Sequence, residues 1–137
     1  MSKHDCLPYA GALLAAAVLL ATPVSAYDLS GVWASDVDRC GQIFKKTGKK
    51  VSFANMADLY GSGFIVDGDT LRGKTARCTV KSRRETQDAL HILASCSTDI
   101  MLSNIQFSLR FINGNTVTRF FPEIPGMDLT YYRCTAM

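Results

Sequence analysis

The chain reads as an all-β fold: a small antiparallel barrel of seven or eight strands, with a short helical turn after the first strand. Three observations predict it. Apolar and polar residues alternate at period two over several short segments, which places successive side chains on opposite faces of a strand. Asp67-Gly68-Asp69 and Asn113-Gly114-Asn115 lie between such segments, and these are pairs that tight hairpins prefer because glycine tolerates positive φ. No repeat, low-complexity tract or Pro- or Ser-rich linker divides the chain, so the strands belong to one unit. Hairpin-linked strands with one buried face favour a meander. A twisted meander shelters its edges by closing into a barrel or stacking as a sandwich, and the barrel is preferred here.

The elements follow in order. Leu29 to Ser35 is an opening strand, and Ser35 or Asp36 caps a helical turn that carries Cys40 and ends near Phe44. Lys45 to Lys50 is a basic turn, Val51 to Phe53 a short strand, and Asn55 to Leu59 one turn of helix. Gly63 to Val66 pairs across Asp67-Gly68-Asp69 with a strand that starts at Thr70 and runs to about Ser82, Gly73 marking a bulge or bend. Arg83 to Asp88 turns the chain. Ala89 to Ser97 returns with Leu90, Ile92, Ala94 and Cys96 on one face. Ile105, Phe107, Leu109 and Phe111 then alternate with Gln106, Ser108 and Arg110. Thr116 to Phe121 comes back, Pro122 to Gly126 interrupts, and Leu129 to Cys134 closes.

The first 26 residues have the layout of a cleavable secretory signal. Lys3 supplies positive charge, an apolar run extends from Tyr9 to Ala21, and Val24-Ser25-Ala26 offers a small-residue cleavage site. The run falls short of the roughly 20 residues a spanning helix needs. Cys6 precedes it, which excludes a lipid-anchored cysteine. Residues 27–137 then form a single disulfide-bonded β domain, periplasmic or extracellular, and the membrane is met only through the signal before cleavage. Loss of Lys3 and Asp5 leaves the net charge of +3 unchanged. That is well short of a nucleic-acid-binding composition, so no nucleic-acid partner is expected and the domain is expected to be a monomer.

Cleavage also removes Cys6 and leaves an even set: Cys40, Cys78, Cys96 and Cys134. Four cysteines allow three connectivities. A hairpin that turns near Gln87 sets Cys78 opposite Cys96, within bridging reach. Cys40 and Cys134 then pair, and in a closed meander they join neighbouring first and last strands. The spacings of 38, 18 and 38 match no zinc knuckle, so no metal and no cofactor is expected.

Catalytic patterns are missing from the sequence. His91 lies between Leu90 and Ile92 on the outward parity of its strand, and no nucleophile-elbow pattern surrounds Ser95 or Ser97. There is no phosphate-cradling Gly-Lys-Ser/Thr loop and no dinucleotide fingerprint. A non-enzymatic protein is expected. Basic residues do cluster, with Lys45, Lys46, Lys49 and Lys50 in one turn and Arg77, Lys81 and Arg83 alternating on one strand. They are candidates to bind an anionic surface partner, against the plain alternative of solvation and edge protection.

Gly31-Val32-Trp33, early in the expected mature chain, resembles the Gly-x-Trp opening of lipocalin-like barrels. The resemblance covers about five residues and implies a barrel with Trp33 packed at its closed end, an architecture that can hold a cavity; it identifies no ligand. Gly61-Ser62-Gly63-Phe64 is similar to part of the Ser-Gly-Ser-Gly loop of bacterial lysozyme-inhibitor barrels, with Tyr60 where the first serine would stand. The first function expected is therefore an exported non-catalytic binding protein, for a small apolar ligand or an anionic surface partner. The alternative is a secreted inhibitor of a hydrolase (lysozyme or protease), acting through Tyr60, Gly61, Ser62 and Gly63 or through Phe121 to Pro125.

Overall fold

A computed structural model describes residues 20–21 and 27–137; the rest of the expected signal segment lies outside the described residues. Strand β1 (Gly31–Ala34) opens the chain. A 3₁₀ turn (Val37–Arg39) and helix α1 (Cys40–Ile43) follow, with Asp36 capping: its carboxylate accepts the Asp38 N–H at 3.0 Å. The hairpin β2 (Phe44–Thr47) and β3 (Lys50–Phe53) comes next, then a 3₁₀ turn (Ala57–Leu59). Seven strands run on as a meander: β4 (Gly63–Asp67), β5 (Thr70–Arg72), β6 (Arg77–Glu85), β7 (Leu90–Ser97), β8 (Leu102–Asn113), β9 (Thr116–Phe120) and β10 (Leu129–Arg133).

The sheet closes into an eight-stranded antiparallel barrel in the order β1-β10-β9-β8-β7-β6-β5-β4, with β1 pairing both β10 and β4. Closure removes the free edges that an open meander would leave. The β2–β3 hairpin stands outside the barrel as a separate two-stranded sheet.

Two local expectations are corrected. Residues 70–82 do not form one strand with a bulge at Gly73. The chain reverses there, with the Gly73 N–H donating to the Ala76 carbonyl at 2.8 Å, so β5 and β6 pair as a hairpin. The bulge of this region lies between Val80 and Ser82 in the β6–β7 pairing. Lys45 to Lys50 is likewise more than a turn: Lys45 and Lys46 belong to β2 and Lys50 to β3.

Two apolar clusters hold the domain together. The barrel interior gathers Leu29, Trp33, Val66, Leu71, Cys78, Leu90, Ile92, Ala94, Cys96, Leu109 and Val117. The β7 face expected to be buried is the buried one. A second cluster lies between the outer face of β1 and β4 and the inserted segment: Val32, Ala34 and Ile65 pack with Ile43, Phe44 and Ala57. Gly63 permits this approach, because a Cβ there would lie 2.3 Å from the Trp33 carbonyl and 2.7 Å from the Phe44 ring.

Both disulfides join the pairs expected. Cys78 and Cys96 are directly opposed in register and form a rung inside the barrel. Cys40 and Cys134 clasp α1 to the end of β10 across a sequence separation of 94. Among the described residues, no helix is long and apolar enough to cross a membrane.

Candidate functional site

The strand directions give the barrel two different ends. One end carries the β4–β5, β6–β7 and β8–β9 turns together with residues 27–30. The other carries the β5–β6 and β7–β8 turns and the β9–β10 loop.

Residues 27–30 cross the first end and close it. The Tyr27 ring packs against Phe111 at 5.1 Å, and its hydroxyl donates between the Gln87 and Thr86 carbonyls, at 2.9 and 3.1 Å. Trp33 is fully buried here and donates its indole N–H to the Leu29 carbonyl at 2.9 Å. The Arg133 guanidinium lies 4.3 Å from the Trp33 ring centroid and donates to the backbone carbonyls of Asp28, Ser30 and Gly114. Gly31, at φ +116°, leaves room for it; a Cβ would come within 3.1 Å of Arg133 Nη1.

The second end is open. A cavity of about 270 Å³ leads inward between β4, β5, β6, β8, β9 and β10. Leu29, Phe64, Leu71, Cys78, Ile105, Phe107, Leu109 and Tyr131 form most of the wall, with Leu29 and Leu109 buried. This is close to the lower end of the range for small-molecule sites, roughly 300–1,000 Å³. Two arginines line it: Arg72 on β5, which donates to the Val51 carbonyl at 3.1 Å, and Arg119. Arg119 sits on β9 opposite Leu109 of β8 and Leu129 of β10, so it shares the inward face. The Phe107 and Phe121 rings flank its guanidinium, with centroids at 4.5 and 4.7 Å. Its Nε is buried and has no hydrogen-bond acceptor among the described residues. Burial draws the Arg119 pKa below the usual arginine value, the Tyr131 phenol acting weakly the other way. Arginine remains charged through such a shift. Exposed apolar residues stand around this mouth, Ile100, Met101 and Leu102 beside the β7–β8 turn and Ile124, Met127 and Leu129 around the β9–β10 loop, among the charged Lys74, Asp99, Glu123 and Asp128.

The basic candidates do not share one face. Lys45, Lys46, Lys49 and Lys50 are exposed on the external hairpin. Arg77 and Lys81 are exposed on β6, but the bulge after Val80 shifts the alternation and sets Arg83 opposite inward Ile92. Arg83 donates to the Tyr27 carbonyl and pairs with Glu85 at 3.3 Å.

Tyr60, Gly61, Ser62 and Gly63 lead into β4 beside the inserted segment. Ser62 is exposed but tied down: its N–H donates to Ser35 Oγ at 2.9 Å, and its carbonyl accepts the Ser35 N–H. Packing already accounts for the glycine at 63.

His91 points outward, where its Nδ1 shares a 2.9 Å hydrogen bond with the buried Ser108 hydroxyl. The edge of the imidazole meets Phe120, whose ring Arg110 also covers. Ser108, rather than Ser95 or Ser97, is the histidine's partner because His91 and Ser108 are directly opposed across β7 and β8.

Arg119 and Arg133 escaped sequence reasoning. The available signal was a cation on the inward parity of a strand: Val117 and Arg119 on β9, Tyr131 and Arg133 on β10. No protein-family model, curated protein or solved structure matches the chain.

Proposed function

We propose that this chain is an exported, non-catalytic binding protein, periplasmic or extracellular, whose barrel receives a small ligand through its open end. The observation that carries the reading is the apolar cavity reaching from the mouth to Leu29 and Leu109. Hydrophobic walls with a few placed polar groups are the usual make-up of a small-molecule site, and here Tyr131, Arg119 and Arg72 are those groups. The lipocalin-like resemblance at Gly31-Val32-Trp33 points the same way, and the two disulfides suit an oxidising compartment. Interior binding is favoured over an anionic surface partner because the seven basic candidates do not form one stripe: four lie on the external hairpin, Arg77 and Lys81 on β6, and Arg83 is taken up by the Tyr27 carbonyl and Glu85.

The test uses the purified domain and the fluorescent apolar reporter 1-aminoanthracene. Saturable enhancement that is lost in Ala76→Trp, which fills the mouth, supports interior binding. Enhancement indifferent to that substitution, or none at all, rejects it.

A second reading keeps the secreted hydrolase inhibitor. Its support is the exposed apolar character of Leu59, Tyr60, Ile124 and Met127 on loops around the open end. Inhibition of a lysozyme or protease that Tyr60→Ala or Ile124→Ser weakens at least tenfold supports it; no inhibition across a panel of both classes removes it.

A further inference from the structure

We propose that the ligand of this cavity is a small carboxylate amphiphile whose head group pairs with Arg119. The inference rests on the interior-binding reading above and goes further by assigning the chemistry of the ligand's polar end.

Four observations converge. Arg119 is inward on β9, and no Asp or Glu lines the cavity it enters. Its Nε is buried with no acceptor among the described residues. Phe107 and Phe121 stack against the guanidinium. The remaining walls are mainly apolar.

A guanidinium carries five N–H donors in its plane. The Phe107 and Phe121 rings stabilise the charge, but an aromatic ring offers no in-plane acceptor, and the Nε–H stays unsatisfied. Holding a cation away from water costs several kcal/mol unless a partner of opposite charge and matching geometry repays it. A carboxylate does so with two parallel charge-assisted hydrogen bonds, and the flat fork of arginine fits it better than a point-like ammonium would. The apolar walls then take the ligand's hydrocarbon or aryl part.

Arg133 supplies the internal control. It is the other inward arginine stacked on an aromatic ring, and backbone carbonyls from three residues receive its N–H groups. The fold can therefore saturate an inward guanidinium with its own backbone, and at Arg119 it leaves the Nε unsatisfied.

The cavity volume limits the ligand. About 270 Å³ corresponds to on the order of nine water-sized volumes. A medium-chain fatty acid or a small aryl acid is on that scale; a long-chain lipid exceeds it.

Octanoate and 1-octanol share a tail and differ in the head group, which makes them suitable probes. Calorimetric titration of the wild-type protein is expected to show octanoate binding at least about tenfold tighter than octanol. In Arg119→Met the octanoate affinity is expected to fall at least about tenfold while octanol changes by less than about threefold. A second measurement needs no variant: the Arg119 Nε–H resonance of the ¹⁵N-labelled wild type shifts on titration with octanoate and stays near its place with octanol.

Equal affinity for the two probes, unchanged octanoate binding in Arg119→Met, or an Nε–H signal insensitive to octanoate overturns the assignment while leaving interior binding standing. Binding of neither probe, together with failure of the aminoanthracene test, removes both readings.

Discussion

The two ends of this barrel are built from similar parts and finished differently. At the closed end an inward arginine, Arg133, stacks on Trp33, and the carbonyls of Asp28, Ser30 and Gly114 receive its N–H groups. At the open end Arg119 stacks between Phe107 and Phe121 with a buried Nε that finds no acceptor among the described residues. The closing turns are polar, Asp67-Gly68-Asp69 and Asn113-Gly114-Asn115, whereas the mouth is fringed with Ile100, Met101, Leu102, Ile124 and Met127. One end is satisfied internally and acts as a plug; the other retains unsatisfied hydrogen-bonding capacity and exposed apolar surface, which a binding role would use.

Removing each disulfide breaks the comparison most strongly. The Cys40–Cys134 clasp closes a span of 94 residues and the Cys78–Cys96 rung, which lines the cavity wall, a span of 18. In the loop-entropy account the paired alanine variants lose about 4–5 kcal/mol for the clasp and about 3 kcal/mol for the rung. Urea unfolding of both variants measures the order; a costlier rung would mean that local packing outweighs loop closure.

Aromatic truncation probes the ends directly. Trp33→Ala removes a fully buried side chain at the plug and is expected to cost about 3–5 kcal/mol. Phe107→Ala, in the half-buried wall of the mouth, is expected to cost less than half as much by the same measurement.

The smallest effect lies in the closing segment and depends on pH. The Asp28 carboxylate accepts the Ser30 N–H at 2.9 Å, and this backbone hydrogen bond, reinforced by Arg133 and Arg83, holds its pKa below the usual 3.8. A carboxyl whose pKa is lowered by folding contributes stability above its unfolded value and loses it as pH falls through the folded one. Asp28→Asn is therefore expected to melt slightly below wild type at pH 7, with the gap closing as pH falls below 3.8 and through the lower folded value. A gap that persists at pH 2 would show that the effect is not ionic.

Much of the barrel was legible because its signals are local. The Asp-Gly and Asn-Gly turns set two hairpins, and strict alternation from Leu90 to Cys96 exposed the inward face that placed Cys96 opposite Cys78. The β5–β6 reversal was less visible because Lys74-Thr75 carries no strong turn pair, and Gly73 alone suits a bulge as well as a turn. The bulge at Lys81 has no local signal, yet it turns Arg83 off the expected stripe. The candidate site was hidden for a related reason. From Thr116 to Phe121 apolar residues occupy both parities, Val117 and Phe121 on one and Phe120 on the other, so the buried face of β9 emerges only from pairing with β8 and β10. Arg119 becomes conspicuous once that register is known.

The contrast between the two arginines is also its own best test. Equilibrium urea unfolding of Arg119→Met and Arg133→Met reads it without any ligand. Arg133→Met removes the hydrogen bonds that tie residues 28–30 and the β8–β9 turn to β10, together with the contact to the Trp33 ring, and is expected to cost about 1–2 kcal/mol. Arg119→Met removes a partly buried cation whose Nε has no acceptor among the described residues and is expected to change stability by less than about 0.5 kcal/mol. A loss at Arg119 as large as that at Arg133 would make both arginines structural and contradict the assignment of the open end as a binding site.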